Sequence, residues 1–235
     1  MADVGIELRG VPKSVRGFLH VAHHEIRALP ELVLDGIAHD ERLVVQTVPR
    51  ATLTELRVAL PNLTKPGEYR GRLRIGERHY GVVAHVEPSL HLACVPQRIE
   101  LTYGPNRRLR ETLTIVNDGN VTAAIEKHYG FGLFESTGVD RAIRSAFEQH
   151  GTTQRSVVDA FSDAAADEYG GVAAASVAEG AGPLHPGEMR SVALSFRLSE
   201  KARHGGSYFG YLSIANLTIP VSVRNAEHAA TEVAS

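Results

Sequence analysis

The sequence predicts a mainly β protein, built as two tandem antiparallel β-sandwiches with an α-helical hairpin inserted in the second. Three observations predict it. Short segments alternate apolar and polar residues between turn signals, so each strand presents one apolar face. One set of these strands occurs twice. Within the second copy, from Gly138 to Tyr169, alternation gives way to helical spacing.

The repeat is clearest in "GEYRGRLRI", Gly67 to Ile75, and "GSYFGYLSI", Gly206 to Ile214. At a shift of 139 positions, Gly67, Tyr69, Gly71, Leu73 and Ile75 fall on Gly206, Tyr208, Gly210, Leu212 and Ile214. Tyr80 and Val82 fall on Ile219 and Val221 at the same shift. Upstream, at a shift of 138, Thr54, Leu56, Val58 and Leu60 match Val192, Leu194, Phe196 and Leu198. Every match lies on a period of two, so each set lines one face of a sheet.

The first copy therefore reads as the strands "TLTELRVAL", "GEYRGRLRI" and "YGVVAHV", preceded by weaker strands in "VGIELRG", "RGFLHVAHHE" and "PELVLDG". "GERH" and "ANLT", which join the last two strands of each copy, have hairpin length. A linker is expected near Val86 to Pro96. After it Ile99 and Leu101 alternate, then Leu113 and Ile115. "NDGN" makes a turn, and Val121, Ala123 and Ile125 begin another strand. The second copy closes with "RSVALSFRL", "GSYFGYLSI" and "TIPVSVR". Pro220 cannot donate to a ladder, so that last strand should lie at an edge or carry a bulge. The expected domains are 1–88 and 92–225, with a helical insertion at 138–169. The small, polar tail 226–235 is expected to be disordered.

"VPQRIELTYGPNRRLRETLTIVNDGN", "HPGEMRSVALSFRL" and "GSYFGYLSIANLTIPVSV" together resemble immunoglobulin-like β-sandwich modules of the broad class that includes major-sperm-protein-like and PapD-like domains. The resemblance covers most of 92–225 and, more loosely, 4–88. It implies an immunoglobulin-like fold and protein binding rather than catalysis. No residue's role is carried over from it.

The insertion supplies the first candidate binding residues. Val139, Ile143, Ala146 and Phe147 fall on one helical face. Val157, Val158, Phe161, Ala164 and Ala165 fall on a second, which stops at Gly170 and Gly171. An amphipathic hairpin must cover something. Residues pointing away from the core are Arg70, Arg72 and Arg74 in the first copy. In the second they are Phe209, Tyr211 and Ser213, a surface suited to cover by the hairpin or by another chain. Val139, Ile143, Phe147, Val157, Val158, Phe161, Phe209 and Tyr211 are thus the candidate protein-binding residues.

Composition argues against several other classes. The 235 residues are 43% hydrophobic, with net charge −2, so no global basic field draws the chain to nucleic acid. The single cysteine, Cys94, excludes an intrachain disulfide and a thiolate metal cluster. No run is long and apolar enough for a membrane span, and "MADVGIELRG" lacks the apolar core of a signal peptide. The expected location is the cytoplasm, or outside the cell by export without a cleavable signal. His20, His23 and His24 invite a metal reading. In a strand His20 and His24 stand roughly 13 Å apart, too far for one ion, while on a helix they would have ligand spacing. The glycine-rich "HYGFGLFESTG" lacks the Gly-Lys-Ser/Thr of a phosphate loop. No catalytic residue, cofactor or metal ligand is assigned. The expected function is a non-catalytic accessory, adaptor or structural subunit that binds other protein chains, self-association included. The alternatives are a holdase working by strand addition and an enzyme using metal or a small ligand.

Overall fold

Alternation in the sequence becomes alternation in burial. In the computed structural model, which describes residues 5–21, 26, 28–37, 43–50, 52–103, 108–153, 156–167, 169–202 and 206–225, nearly every strand buries every other side chain. His23, His24 and the tail 226–235 lie outside the described residues.

The first sandwich contains β1 (Ile6–Val11), β2 (Ser14–Leu19), β3 (Glu31–Leu34), β4 (Val44–Arg50), β5 (Leu53–Ala59), β6 (Gly67–Ile75) and β7 (Arg78–Val86). They form one curled sheet in the order β3-β6-β7-β1-β2-β5-β4, which folds into two layers over Leu8, Val15, Leu34, Leu56, Leu73 and Val82. The second sandwich contains β8 (Leu92–Val95), β9 (Ile99–Tyr103), β10 (Arg108–Asn117), β12 (His128–Glu135), β13 (Tyr169–Glu179), β15 (Met189–Arg197), β16 (Tyr208–Ile214) and β17 (Leu217–Asn225). Their order is β8-β10-β15-β13-β12-β16-β17-β9. β11 (Ala123–Ile125) and β14 (Gly182–Leu184) make a small separate ribbon. Two helices, α1 (Gly138–Thr153) and α2 (Val157–Asp167), connect β12 to β13. The chain is thus two tandem immunoglobulin-like sandwiches, mainly β, with a short helical pair in the second.

The repeat holds at the level of hydrogen-bonded register. Tyr69 faces Ala84, Leu73 faces Tyr80 and Ile75 faces Arg78 across β6 and β7. Tyr208 faces Val223, Leu212 faces Ile219 and Ile214 faces Leu217 across β16 and β17. Both members of every pair move by the same 139 positions. Two-residue turns close both hairpins, with positive φ at Gly76 and at Ala215. Such turns match the twist of the strands they join.

The two glycines of the repeat have one steric reason. A Cβ at Gly71 would stand 2.0 Å from the Val33 carbonyl oxygen, and one at Gly210 would stand 2.4 Å from that of Gly132. Each glycine lets the backbone of a neighbouring strand, β3 or β12, close onto its own. This identifies β12 as the counterpart of β3, and the helices as an expansion of the β3–β4 connection.

Three features go beyond the sequence expectations. In each sandwich an early strand, β1 or β9, joins the last in parallel: Ile6 faces Val82, and Ile99 faces Val221. The described registers are otherwise antiparallel. β17 is not an edge strand, since it lies between β16 and β9. Its parallel pairing with β9 begins only at Val221, so Pro220, whose missing N–H breaks no ladder bond there, sits just outside that stretch. Finally, the chain forms two compact units, and the first (Met1–His91) includes the turns Asn117–Thr122 and His185–Glu188. Asn120 accounts for the first of these turns. Its buried amide donates to the Thr64 carbonyl at 2.9 Å and the Glu87 carbonyl at 3.1 Å, and accepts from the Ser89 amide at 2.6 Å. A buried amide satisfied in this way resists removal.

Candidate functional site

β12 carries the site. Phe131 and Leu133 turn inward, and Phe131 meets Phe196 edge-on with centroids 6.3 Å apart. By strict alternation Phe134 turns outward. It stands directly across from Tyr169 on β13 and from Phe209 on β16. The rings form a chain over three strands: Tyr169 to Phe134 at 5.4 Å, Phe134 to Phe209 at 5.9 Å, and Phe209 to Tyr211 at 6.4 Å. A Cβ at Gly132 would come within 3.4 Å of the Tyr169 ring, so glycine leaves the space in which that ring lies.

Adjacent rings tilted or edge-on contribute about 0.5–1.5 kcal/mol per pair beyond the area they bury. The ladder therefore partly stabilises itself, yet it stays open to water. Tyr211 is 57% exposed and Phe134 45%, while Phe209 and Tyr169 are half-buried. The hairpin does not cover Tyr211.

The hairpin is anchored at its root. Thr137 precedes α1, and its carbonyl accepts the Arg141 amide at 3.1 Å. The Arg141 guanidinium donates to the Thr137 hydroxyl at 2.9 Å and pairs with Glu135. Ser136 donates through both amide and hydroxyl to the Ser207 carbonyl, at 2.8 and 3.0 Å. Ser156 stands in the same place before α2, its carbonyl accepting the Ala160 amide at 3.0 Å. Asp140 and Asp159 occupy the first turns, where the helix dipole favours an anion.

The two helices pack on each other through small residues, with Ala142, Ala146 and Ala160 fully buried. The larger apolar side chains flank that contact instead of filling it. Val139 (46%), Ile143 (42%), Phe147 (63%) and Val158 (70%) are exposed, whereas Val157 and Phe161 are half-buried. Of the predicted residues, Phe209 and Tyr211 come together on the sheet. Val139, Ile143 and Phe147 make one stripe on α1 at a spacing of four. Phe134 and Tyr169 escaped the sequence reading. Once "HYGFGLFE" is read as a strand, its own alternation points Phe134 outward.

The first sandwich presents a different surface. Arg70, Arg72 and Arg74 are exposed as predicted, and Arg74 pairs with Glu31 at 2.5 Å and Arg70 with Glu68 at 2.9 Å. Cys94 is buried, which pushes its thiol pKa up, and its sulfur lies 3.3 Å from the Pro96 carbonyl. Burial likewise raises the Tyr129 phenol, whose oxygen accepts the Glu126 amide at 2.6 Å. Among the described residues no group of His, Cys, Asp or Glu is placed to hold a metal ion, and no helix is long and apolar enough to cross a membrane.

No protein-family model matches the chain, and no curated protein sequence matches it. Solved structures do. The chain is similar to titin A168169 at 10% identity and TM-score 0.30, covering 94% of this chain and 96% of that one. The extracellular portion of mouse CD200RLa matches at 8% identity and TM-score 0.30, over 96% of this chain and all of the other. Domains 4 and 5 of the S-layer protein SbsC match at 12% identity and TM-score 0.25, over 82% and 81%. The sandwich assignment rests on the strand order and register above.

Proposed function

We propose that this protein is a non-catalytic accessory, adaptor or structural subunit that binds other protein chains through the outward apolar surface of its second sandwich. The ladder Tyr169–Phe134–Phe209–Tyr211 carries the reading. Aromatic side chains supply large contact area at low entropy cost and dominate the centres of protein interfaces. A rigid sheet holds these four in place, and the stripe Val139–Ile143–Phe147 on the adjoining insertion offers a second apolar strip. The first sandwich, whose corresponding face is lined with arginines, acts as a solvated support.

The test is co-purification from the native cell extract with photo-crosslinking at position 211. A stoichiometric partner, cross-linked at that position and lost in the variant Phe134→Ser/Tyr211→Ser at unchanged melting temperature, supports the proposal. Retention of the same partner by that variant overturns it. Light scattering of the purified chain reads self-association at the same surface.

The edge strand β4 favours a second reading, the holdase. Among the described residues its outer side has no neighbour in the sheet, and Val44 at its start is exposed. A client strand adding there would be released when the client assembles, whereas a structural partner stays bound.

A further inference from the structure

The internal repeat exposes a charge imbalance on the second sandwich. In the first, Arg16 of β2 stands directly across from Arg57 of β5. Two like charges so placed repel, and the fold answers with Glu55 on the same strand. Glu55 accepts from Arg57 Nε at 2.7 Å and Arg50 Nε at 2.9 Å, although its side chain is almost fully buried. In the second sandwich, β10 and β15 repeat the register of these two strands: Leu109 faces Phe196 where Val15 faces Val58, and Leu113 faces Val192 where Leu19 faces Thr54. Arg110 takes the place of Arg16 and Ser195 that of Arg57, while a cross-strand arginine pair recurs one step along the strands. Arg108 lies two residues away on the same face, directly across from Arg197. Ala193 stands where the carboxylate should be.

All three arginines are exposed, and among the described residues none of their side chains makes an ion pair or hydrogen bond. Strand spacing roots them within about 8 Å of one another. Glu111 falls on the inward side of β10 and accepts the Thr112 amide at 3.0 Å. Glu179 lies across from Ala193, which stands four residues along β15 from Arg197, roughly 13 Å. The described residues paired with or next to them on β10, β15 and β13, namely Thr112, Ser195, Ala174 and Ser176, are small and uncharged.

We propose that Arg108, Arg110 and Arg197 form a docking site for an acidic segment of a partner protein, whose carboxylates take the role that Glu55 plays inside the first sandwich. The first sandwich is the reason for choosing a carboxylate, since there a carboxylate, Glu55, answers a cross-strand arginine pair on the corresponding strands. Arginine forks suit it, because paired N–H donors match both oxygens. The site is separate from the aromatic ladder, so either can fail without the other.

The experiment measures binding of a short glutamate-rich peptide to the full chain by fluorescence anisotropy at low salt. The glutamine counterpart and a single-stranded oligonucleotide of equal charge serve as comparisons. Ser195 lies across from Arg110 and beside Arg197, so Ser195→Glu supplies the missing carboxylate from within. The expected result is glutamate-peptide binding that weakens about tenfold in Arg108→Gln/Arg197→Gln and as much in Ser195→Glu. Ser195→Glu should also melt above the parent, and Ser195→Gln should bind as the parent does. Equal binding of the two peptides, undiminished binding by Ser195→Glu, or tighter binding of the oligonucleotide would overturn the proposal.

Discussion

The two sandwiches use one plan and close it at opposite seams. In the first, the layers β3-β6-β7-β1 and β2-β5-β4 are joined because β1 pairs with β2. In the second, among the described residues, the corresponding strands β9 and β10 do not pair. Instead β12 pairs with β13, the counterparts of β3 and β4, which stay unpaired in the first. The helical hairpin sits at that second seam, in the connection between β12 and β13. A seam there brings Phe134 beside both Tyr169 and Phe209, and so builds a ladder that the first sandwich has no strand pair to hold. Where a curled sheet closes thus decides which outward side chains become neighbours, even when the inward positions repeat in the same register.

The comparison breaks first at the paired tyrosines. Tyr208 is 3% exposed, and a Cβ at Gly170 or Gly206 would lie 2.7 Å from its ring, so both glycines make room for it. Tyr69 occupies the same register but is half-buried, with its hydroxyl donating to the Lys65 carbonyl at 2.8 Å. Replacing Tyr208 with alanine should cost about 3–5 kcal/mol, as for other large buried aromatics. Tyr69→Ala should cost roughly half as much, in proportion to the area buried. Urea denaturation followed by circular dichroism checks both. Equal losses would show that the first copy's tyrosine is as deeply committed as the second's.

Next come the glycines. Gly71→Ala and Gly210→Ala each force a methyl against a carbonyl oxygen of the neighbouring strand, and the expected cost is about 1–3 kcal/mol apiece. Similar losses at the two positions sharpen the equivalence of β3 and β12. A loss at only one would separate them.

Much of this was legible in the sequence because period-two burial is a local property. Leu56, Val58, Leu73 and Ile75 announce an inward face without reference to any other strand. The repeat then carried that face to Leu194, Phe196, Leu212 and Ile214. The seam was not legible, since no residue in β1 or β12 records which strand lies beside it. For the same reason the ladder was half seen. Phe209 and Tyr211 share a strand, whereas Phe134 and Tyr169 joined them only through pairing. The hairpin's inner face was read by hydrophobicity, which favours Ile143 and Phe147. Close helix packing chose the alanines beside them and left the larger side chains outside.

The smallest expected effect lies in acid and belongs to the first sandwich alone. Hydrogen bonds from Arg57 and then Arg50 hold the Glu55 carboxyl down, from an ordinary value near 4.5 to about 2. The same interaction raises the Arg57 guanidinium. A carboxyl depressed in the folded state binds fewer protons there than in the unfolded chain, so it contributes stability above its unfolded pKa. That contribution drains away as pH falls from about 4.5 towards 2. Both arginines are partly exposed, at 52% and 38%, so water and salt screen the pair and the effect is modest. Glu55→Gln should therefore flatten the dependence of the melting temperature on pH between those limits, melting below the parent at neutral pH and converging on it in acid. Ala193→Gln, at the matching position of the second sandwich, should leave the slope unchanged. If it alters the slope as Glu55→Gln does, the acid response is not the property of one copy, and the charge contrast between the two sandwiches fails.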